Sequence, residues 1–190
     1  MRDRTCAIGQ VRVRLAGPGA GGGLVGWSLR GADAAELDGL ATARSERPPP
    51  EREEHPNGAL AIDHVVVITP DLERTTRALE GAGIARRRIR EAGDALQGFF
   101  RLGEVVLEVV QARDAEGPAR FWGLVVTVPS LERCAELLGD RLGEPRDAVQ
   151  PGRRIATVRR EAGLGVPFAF MTPDPRRDQV SGWGSRPGNA

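Results

Sequence analysis

The residues best suited to chemistry are one imidazole and one carboxylate, each beside aliphatic residues. His64 precedes the run VVVI at 65–68, and Glu108 lies within 105–110, which reads VVLEVV. A carboxylate in such a run is costly to bury unless a partner compensates for it. Polar groups on the floor of an apolar cup are typical of small-molecule sites, so we expect both side chains to face one cavity. The residues leave an alternative open, in which His64 is a hydrogen-bonded core histidine and Glu108 faces solvent or pairs with Arg101.

The elements that must position these residues belong to a region that repeats. Residues 65–74 read VVVITPDLER and residues 124–133 read LVVTVPSLER, at an offset of 59. In each copy the β-branched run predicts a buried strand, and the Pro-Asp or Pro-Ser that follows predicts a helix start. Small or apolar residues then recur with helical spacing: Leu72, Thr75, Thr76 and Leu79 in the first copy, and Leu131, Cys134, Ala135 and Leu138 in the second.

Three further strands are predicted after each helix. They fall at 84–90, 96–102 and 104–111 in the first copy, and at 144–149, 153–159 and 166–172 in the second. A single βαβββ unit would leave one face of its sheet exposed, so we expect the two units to pair. The predicted fold class is therefore α+β, with two paired βαβββ modules forming a cup-shaped mixed sheet. Module one spans 59–112 and module two spans 119–173 within a domain at 59–173.

The segments that flank this domain have a different composition. Residues 1–58 form an N-terminal extension, in which alternation at 11–15 and an apolar run at 24–29 predict a hairpin. A short helix is expected at 33–43. Residues 47–56, RPPPEREEHP, predict a linker without regular structure. Residues 174–190 are rich in Pro, Arg, Ser and Gly, which predicts a flexible tail.

Composition and charge exclude several function classes. The 27 basic residues, all arginine, nearly balance 26 acidic ones for a net charge of +1, so we expect no nucleic-acid partner. The longest apolar runs are far shorter than the ~18–20 residues that span a bilayer, so we expect no membrane insertion. Residues 1–10 lack the apolar core of a secretory signal. Cys6 and Cys134 are isolated from each other, which predicts neither disulfides nor a structural zinc, and favours a cytoplasmic location.

The opening of the first module, IDHVVVITPDL at 62–72, followed by two βαβββ units, resembles the vicinal oxygen chelate superfamily. That group includes glyoxalase I, extradiol dioxygenases and bleomycin- or fosfomycin-resistance proteins, and the likeness is greatest to glyoxalase-like members. It covers residues 60–173. The resemblance implies that a divalent ion (Zn, Mn, Fe or Ni) is held by a His from the first strand and a Glu from the last strand of each module. On this chain those positions are His64 and Glu108.

The second module does not supply the matching pair. At the repeat offset Gly123 corresponds to His64, and aligning the glycines that precede the last strands places Phe170 opposite Glu108. Catalytic metal sites usually keep three protein ligands, so this chain is expected to carry half a site. Phe170 would instead form an apolar wall of the cup. Arg101 could bind an anionic substrate through a forked hydrogen bond, and Trp122 begins module two beside the position that corresponds to His64.

Three functions remain open on these grounds. The first is a metal-free glyoxalase-like protein that binds a small molecule. The second is a divalent-metal-dependent lyase, isomerase or dioxygenase acting on vicinal oxygens, with the site completed by a second chain in a homodimer. The third is a non-catalytic interaction domain that uses residues 1–58.

Overall fold

The structure, a computed structural model, describes residues 5–175. Short 3-10 turns lie at Pro18–Ala20, Gly139–Arg141 and Arg160–Ala162. The strands and helices in chain order are β1 (Thr5–Ile8), β2 (Val11–Arg14), β3 (Trp27–Leu29), β4 (Glu36–Leu37), β5 (Leu40–Arg44), β6 (Ala61–Thr69), α1 (Leu72–Gly81), β7 (Arg86–Ala92), β8 (Ala95–Leu102), β9 (Val105–Gln111), β10 (Arg120–Thr127), α2 (Leu131–Leu138), β11 (Arg146–Asp147), β12 (Arg154–Thr157) and β13 (Phe168–Met171).

Eight strands form one mixed sheet in the order β11-β12-β13-β10-β6-β9-β8-β7. Within each half the first strand of the βαβββ unit pairs in parallel with the last, β6 with β9 and β10 with β13. The halves join where β6 and β10 pair antiparallel at the centre of the sheet. The predicted fold class is confirmed, and the arrangement brings the opening strands of both modules side by side.

The two helices begin where the sequence pattern places them. The Asp71 side chain accepts from the backbone N–H of Arg74 at 2.9 Å, and the Ser130 hydroxyl accepts from that of Arg133 at 3.1 Å. These N-caps satisfy backbone donors that have no partner within the helix. The predicted apolar stripe of α1 is buried at Leu72, Thr75, Thr76 and Leu79. In α2, Leu131 and Cys134 are fully buried, whereas the later turn is partly exposed.

Both helices pack on the same side of the large sheet, which we call the helix face. Under α1 the core contains Val67 and Leu107, both 0% exposed, and under α2 it contains Leu124 and Val126. Burying each such aliphatic side chain contributes about 1.5–3 kcal/mol. These two clusters account for most of the core, and they hold the sheet whose opposite side carries the candidate site.

The N-terminal segment is built into both clusters. The β1–β2 hairpin packs against the cluster under α2, and the three-stranded sheet β3-β5-β4 packs against the cluster under α1. Leu40 is 0% exposed in the latter, and the rings of Trp27 and Phe121 pack nearly perpendicular to each other with their centroids 5.0 Å apart. Residues 5–44 therefore share the hydrophobic core of the main sheet. Residues 47–56 contain no helix or strand, as their composition predicts.

Two expectations for this segment are wrong. The hairpin expected between residues 11–15 and 24–29 does not form. The strand at 11–14 pairs instead with β1, through a two-residue turn that starts at Gly9 (φ +60°), and β3 at 27–29 pairs in parallel with β5. The helix expected at 33–43 is replaced by β4 and β5. Their connecting residues Asp38 and Gly39 both have positive φ, 50° and 90°. An Asp-Gly pair between two strands is a strong hairpin signal because it suits this turn.

Module two has shorter strands than its sequence predicts. The segment expected at 144–149 is reduced to the two residues of β11, since residues 148–153 form a turn closed by the Ala148 N–H to the Arg153 carbonyl at 2.9 Å. Within residues 5–175 neither helix has the length and apolar character needed to cross a bilayer. Most of the predicted tail, residues 176–190, lies outside the described residues.

Candidate functional site

Strand register places His64 and Glu108 on the side of the sheet away from the helices. In the parallel pair β6–β9, His64 lies opposite Val106 and Val66 lies opposite Glu108. Paired residues point to the same side, and alternate residues point to opposite sides. Since Leu107 belongs to the cluster under α1, Glu108 points the other way. We call this side of the sheet the site face.

Two β-bulges flank the centre of the sheet. Asp63 is the extra residue in β6, between the pairs Ile62–Val126 and His64–Val125, and Trp122 is the extra residue in β10. A bulge increases local twist and redirects the side chains next to it. The two bulged positions are 59 residues apart, the offset that relates the sequence copies. Trp122 is 44% exposed.

The Asp63 carboxylate links His64 to module two. Its Oδ2 lies 2.8 Å from His64 Nδ1, and its Oδ1 accepts from Arg153 Nη2 at 2.5 Å and from Thr127 Oγ1 at 3.2 Å. Arg153 also donates from Nε to the carbonyl of Thr172 at 2.7 Å. Because a carboxylate can only accept, Nδ1 of His64 carries the proton, and Nε2 is left as the nitrogen that faces the site.

The charge of Asp63 is maintained by these contacts. Burial opposes ionisation of the carboxyl, but the hydrogen bonds and charges of His64 and Arg153 outweigh it and hold the pKa of Asp63 well below its ordinary value. The side chain of Arg153 is 7% exposed and that of Asp63 is 13% exposed. The pair is therefore a largely buried ion pair that crosses from one module to the other.

His64 and Glu108 converge on the site face. His64 Nε2 lies 3.8 Å from Glu108 Oε2, and the two side chains are 11% and 15% exposed. One divalent ion could contact both atoms at ordinary bond lengths of about 2.0–2.2 Å. The Asp63–His64 contact also matches the arrangement in which a carboxylate holds the distal nitrogen of a metal-binding histidine. The donor set thus fits one half of a metal site.

Module two offers no donor at the matching positions, and one expectation about it is wrong. The parallel register of β10 with β13 pairs Val125 with Ala169 and Val126 with Phe170. In module one, Val66 pairs with Glu108, and Val125 corresponds to Val66 at the repeat offset of 59. The partner of Val125, Ala169, is therefore the residue that corresponds to Glu108. Phe170 lies instead on the helix face, 6% exposed in the cluster under α2. A one-residue change of register moves a side chain to the opposite face.

The site face of module two is filled by its own apolar residues. Val125, Ala169 and Met171 form a buried cluster there, against which Ala148 and Ile155 pack. Gly123, the residue that corresponds to His64, pairs with Val66, and a Cβ added to it would lie 3.1 Å from the carbonyl oxygen of Pro167. The two side chains that converge on the site face, His64 and Glu108, thus both belong to module one.

Arginines occupy the outer strands of the site face in module one. Phe99 pairs with Glu108, and the guanidinium groups of Arg88 and Arg90 lie 4.7 and 5.5 Å from the centre of its ring. Arg101 pairs with Val106 and so shares this face. It is exposed, and its Nη1 donates to the carbonyl of Glu104 at 3.4 Å.

Comparison with solved structures identifies the architecture. The chain is similar to methylmalonyl-CoA epimerase from Mycobacterium tuberculosis, with a TM-score of 0.52 and 17% identity over 65% of this chain and 94% of that one. It is also similar to a single-residue variant of Streptomyces coelicolor methylmalonyl-CoA epimerase in complex with 2-nitronate-propionyl-CoA, with a TM-score of 0.50 and 16% identity over 62% and 96%. The chain has the vicinal oxygen chelate fold. No family model matches the sequence, and no curated protein matches it significantly.

Several residues of the candidate site were missed from sequence. Asp63 is visible in the Asp-His pair, but nothing local shows that its carboxylate holds the neighbouring ring. Arg153 lies 90 residues from Asp63, and only the tertiary structure brings the two together. Phe99 could have been found from its alternation with Arg101 in β8, since alternate residues share a face.

Proposed function

We propose that the protein binds an anionic small molecule on the site face of module one, with His64 and Glu108 as its acid–base or hydrogen-bonding pair. The observation that carries this proposal is the 3.8 Å approach of His64 Nε2 to Glu108 Oε2 on the face that also carries a group of arginines. Polar groups that converge within an apolar sheet surface are typical of ligand sites.

The charge of this surface favours an anion. Three guanidinium groups, those of Arg88, Arg90 and Arg101, share the face with the carboxylate of Glu108, whereas the carboxylate of Asp63 is paired with Arg153. Arginine binds carboxylates and phosphates through paired N–H donors. Phe99, between these arginines and Glu108, adds an apolar surface against which the body of the ligand can pack.

The state of His64 suits proton transfer. Because Asp63 accepts from Nδ1, Nε2 is the ring nitrogen directed toward Glu108 and the site face. An imidazole held in this way can take a proton from a bound ligand, and the carboxylate of Asp63 stabilises the charge that develops. The Streptomyces epimerase binds 2-nitronate-propionyl-CoA, which supports the use of carboxylates and acyl-CoA thioesters as probes.

The test is titration calorimetry with malonate, its CoA thioester and the neutral malonamide. We expect the anions to bind and the amide not to bind, and Arg101→Ala to weaken anion binding about 10–100-fold, as expected for loss of a charged hydrogen bond of ~1.5–3 kcal/mol. Arg154→Ala is the matched control, because Arg154 pairs with Glu132 on the exposed side of α2. Equal binding of anions and amide, or equal effects of both variants, would refute the proposal.

A second candidate is a divalent-metal site completed by another copy of the chain. It is favoured by the Asp63–His64 contact, which leaves Nε2 directed at Glu108 as in metal-binding histidines. Two copies that present their first modules to each other would supply two His and two Glu. A bound divalent ion would act as a Lewis acid toward vicinal oxygens of the ligand.

Metal stoichiometry separates this candidate from metal-free binding. A shared site predicts one ion per two chains in addition to any ion bound elsewhere on the chain, and this additional ion should be lost together with the dimer in His64→Ala and in Glu108→Ala. The measurements are elemental analysis after loading with Zn, Mn, Fe or Ni, and light scattering for mass. An ion content that is the same in wild type and in both variants would eliminate the shared site while leaving anion binding intact.

A further inference from the structure

Three side chains with different metal-binding atoms converge at the edge of the N-terminal hairpin. Cys6 comes from β1, and Glu53 and His55 come from the segment 47–56. The ligand atoms of the three, one each of sulfur, oxygen and nitrogen, all lie within 4.8 Å of one another. Cys6 and His55 are partly buried and Glu53 is exposed. The group is separate from His64 and Glu108 and shares no residue with them.

Backbone contacts hold the two linker side chains beside Cys6. His55 Nε2 lies 2.7 Å from the carbonyl oxygen of Ala7, and the Ala7 N–H donates to Glu53 Oε2 at 3.2 Å. The backbone N–H and the carbonyl of Ala7 therefore both point to the linker and away from β2. Because a carbonyl oxygen only accepts, Nε2 of His55 donates to Ala7, which leaves Nδ1 as the nitrogen that could bind an ion. This orientation by a backbone carbonyl is typical of metal-binding histidines.

From this geometry we propose that Cys6, Glu53 and His55 bind a zinc-type divalent cation that fastens the linker to β1. A thiolate, an imidazole and a carboxylate are the three ligand types that Zn²⁺ takes in proteins, and a water would complete four-coordination. The cysteine thiol gives up its proton to the solvent as the sulfur binds the ion. The linker has no helix or strand of its own, so a bound ion would add a cross-link to the hydrogen bonds that hold it beside the hairpin.

The sequence does not indicate this site because Cys6 and Glu53 are 47 residues apart and the ligands belong to no spaced motif. The hairpin β1–β2 and the contacts of Ala7 bring them together. Arg12 Nη1 also donates to the carbonyl of Pro48 at 2.6 Å, so the linker already follows the hairpin before any ion binds. Binding therefore requires little further ordering of the chain.

The test uses the whole protein, titrated with Co²⁺ as a spectroscopic probe and with Zn²⁺ in competition. We expect a thiolate-to-cobalt charge-transfer band at one equivalent, lost in Cys6→Ser and weakened about tenfold or more in His55→Ala. Cys134→Ser is the matched control, because Cys134 is buried under α2 and should not affect the band. Absence of the band in wild type, or its loss in Cys134→Ser alone, would overturn the proposal.

A second measurement follows the linker and does not depend on the spectrum. Arg52 is exposed immediately before Glu53, so trypsin should cut after it. Zn²⁺ should slow this cut in wild type and in the double variant His64→Ala/Glu108→Ala, but not in Cys6→Ser. Protection that disappears in the double variant and persists in Cys6→Ser would place the ion at the site face instead, and would refute this inference without touching the proposed function.

Discussion

The ion pair between Asp63 and Arg153 predicts a large loss of stability when its cation is removed. Arg153→Met keeps much of the apolar stem but leaves the buried carboxylate without its guanidinium and the Thr172 carbonyl without a donor. Breaking one partner of a buried pair costs about 3–5 kcal/mol. Because Asp63 keeps its contacts with His64 and Thr127, we expect the low end, about 3 kcal/mol.

The neighbouring residue provides a matched control. Arg154 pairs with Glu132 at 2.8 Å, but the two side chains are 47% and 64% exposed. Arg154→Met should therefore cost only about 0–1 kcal/mol. For a chain of this length the larger loss corresponds to a fall in Tm of roughly 6–12 °C.

The assay is urea unfolding followed by circular dichroism, with the slope of the transition compared between variants. A double-mutant cycle with Asp63→Asn should give a coupling free energy of about 1–3 kcal/mol. Equal losses for Arg153→Met and Arg154→Met, or a cycle without coupling, would show that the two modules are not held together by this pair.

Three further predictions concern the core, the site face and acid. Leu40→Ala should lower the free energy of unfolding in urea by about 2–5 kcal/mol. Leu15→Ala, at a residue that is 68% exposed, should change it by less than ~0.5 kcal/mol. Equal effects would mean that the N-terminal segment does not share the core. Phe170→Ala should lower the free energy of unfolding by about 3–5 kcal/mol and leave the Kd for the anionic ligand unchanged in calorimetry. Phe99→Ala should instead weaken that binding. The reverse pattern would show that Phe170 belongs to the ligand site. The pKa of Asp63 in the folded protein lies below its ordinary value of 3.8, so the contribution of this carboxylate to stability is complete above about pH 4 and is lost as the pH falls further. The difference in unfolding free energy between wild type and Asp63→Asn should therefore shrink in acid. A difference that grows would contradict the assigned contacts.

Local patterns in the sequence determined the elements that carry the site. The two copies of strand, proline and capped helix could be found because β-branched runs, N-cap residues and helical spacing act within a few residues of each other. The placement of His64 in β6 and Glu108 in β9 followed from the same runs. The Asp-Gly turn at 38–39 was equally local, and the helix expected across it was an avoidable error.

Register and long-range contacts were decided by the tertiary structure alone. Glycine alignment put Phe170 opposite Glu108, but the pairing of β10 with β13 puts Ala169 there, and a shift of one residue exchanges the two faces. The contact of Asp63 with Arg153, and the meeting of Cys6 with Glu53 and His55, join residues far apart in the chain. Such contacts depend on how whole elements pack, because the period of a strand or helix determines which residues share a face and not which face another segment will meet.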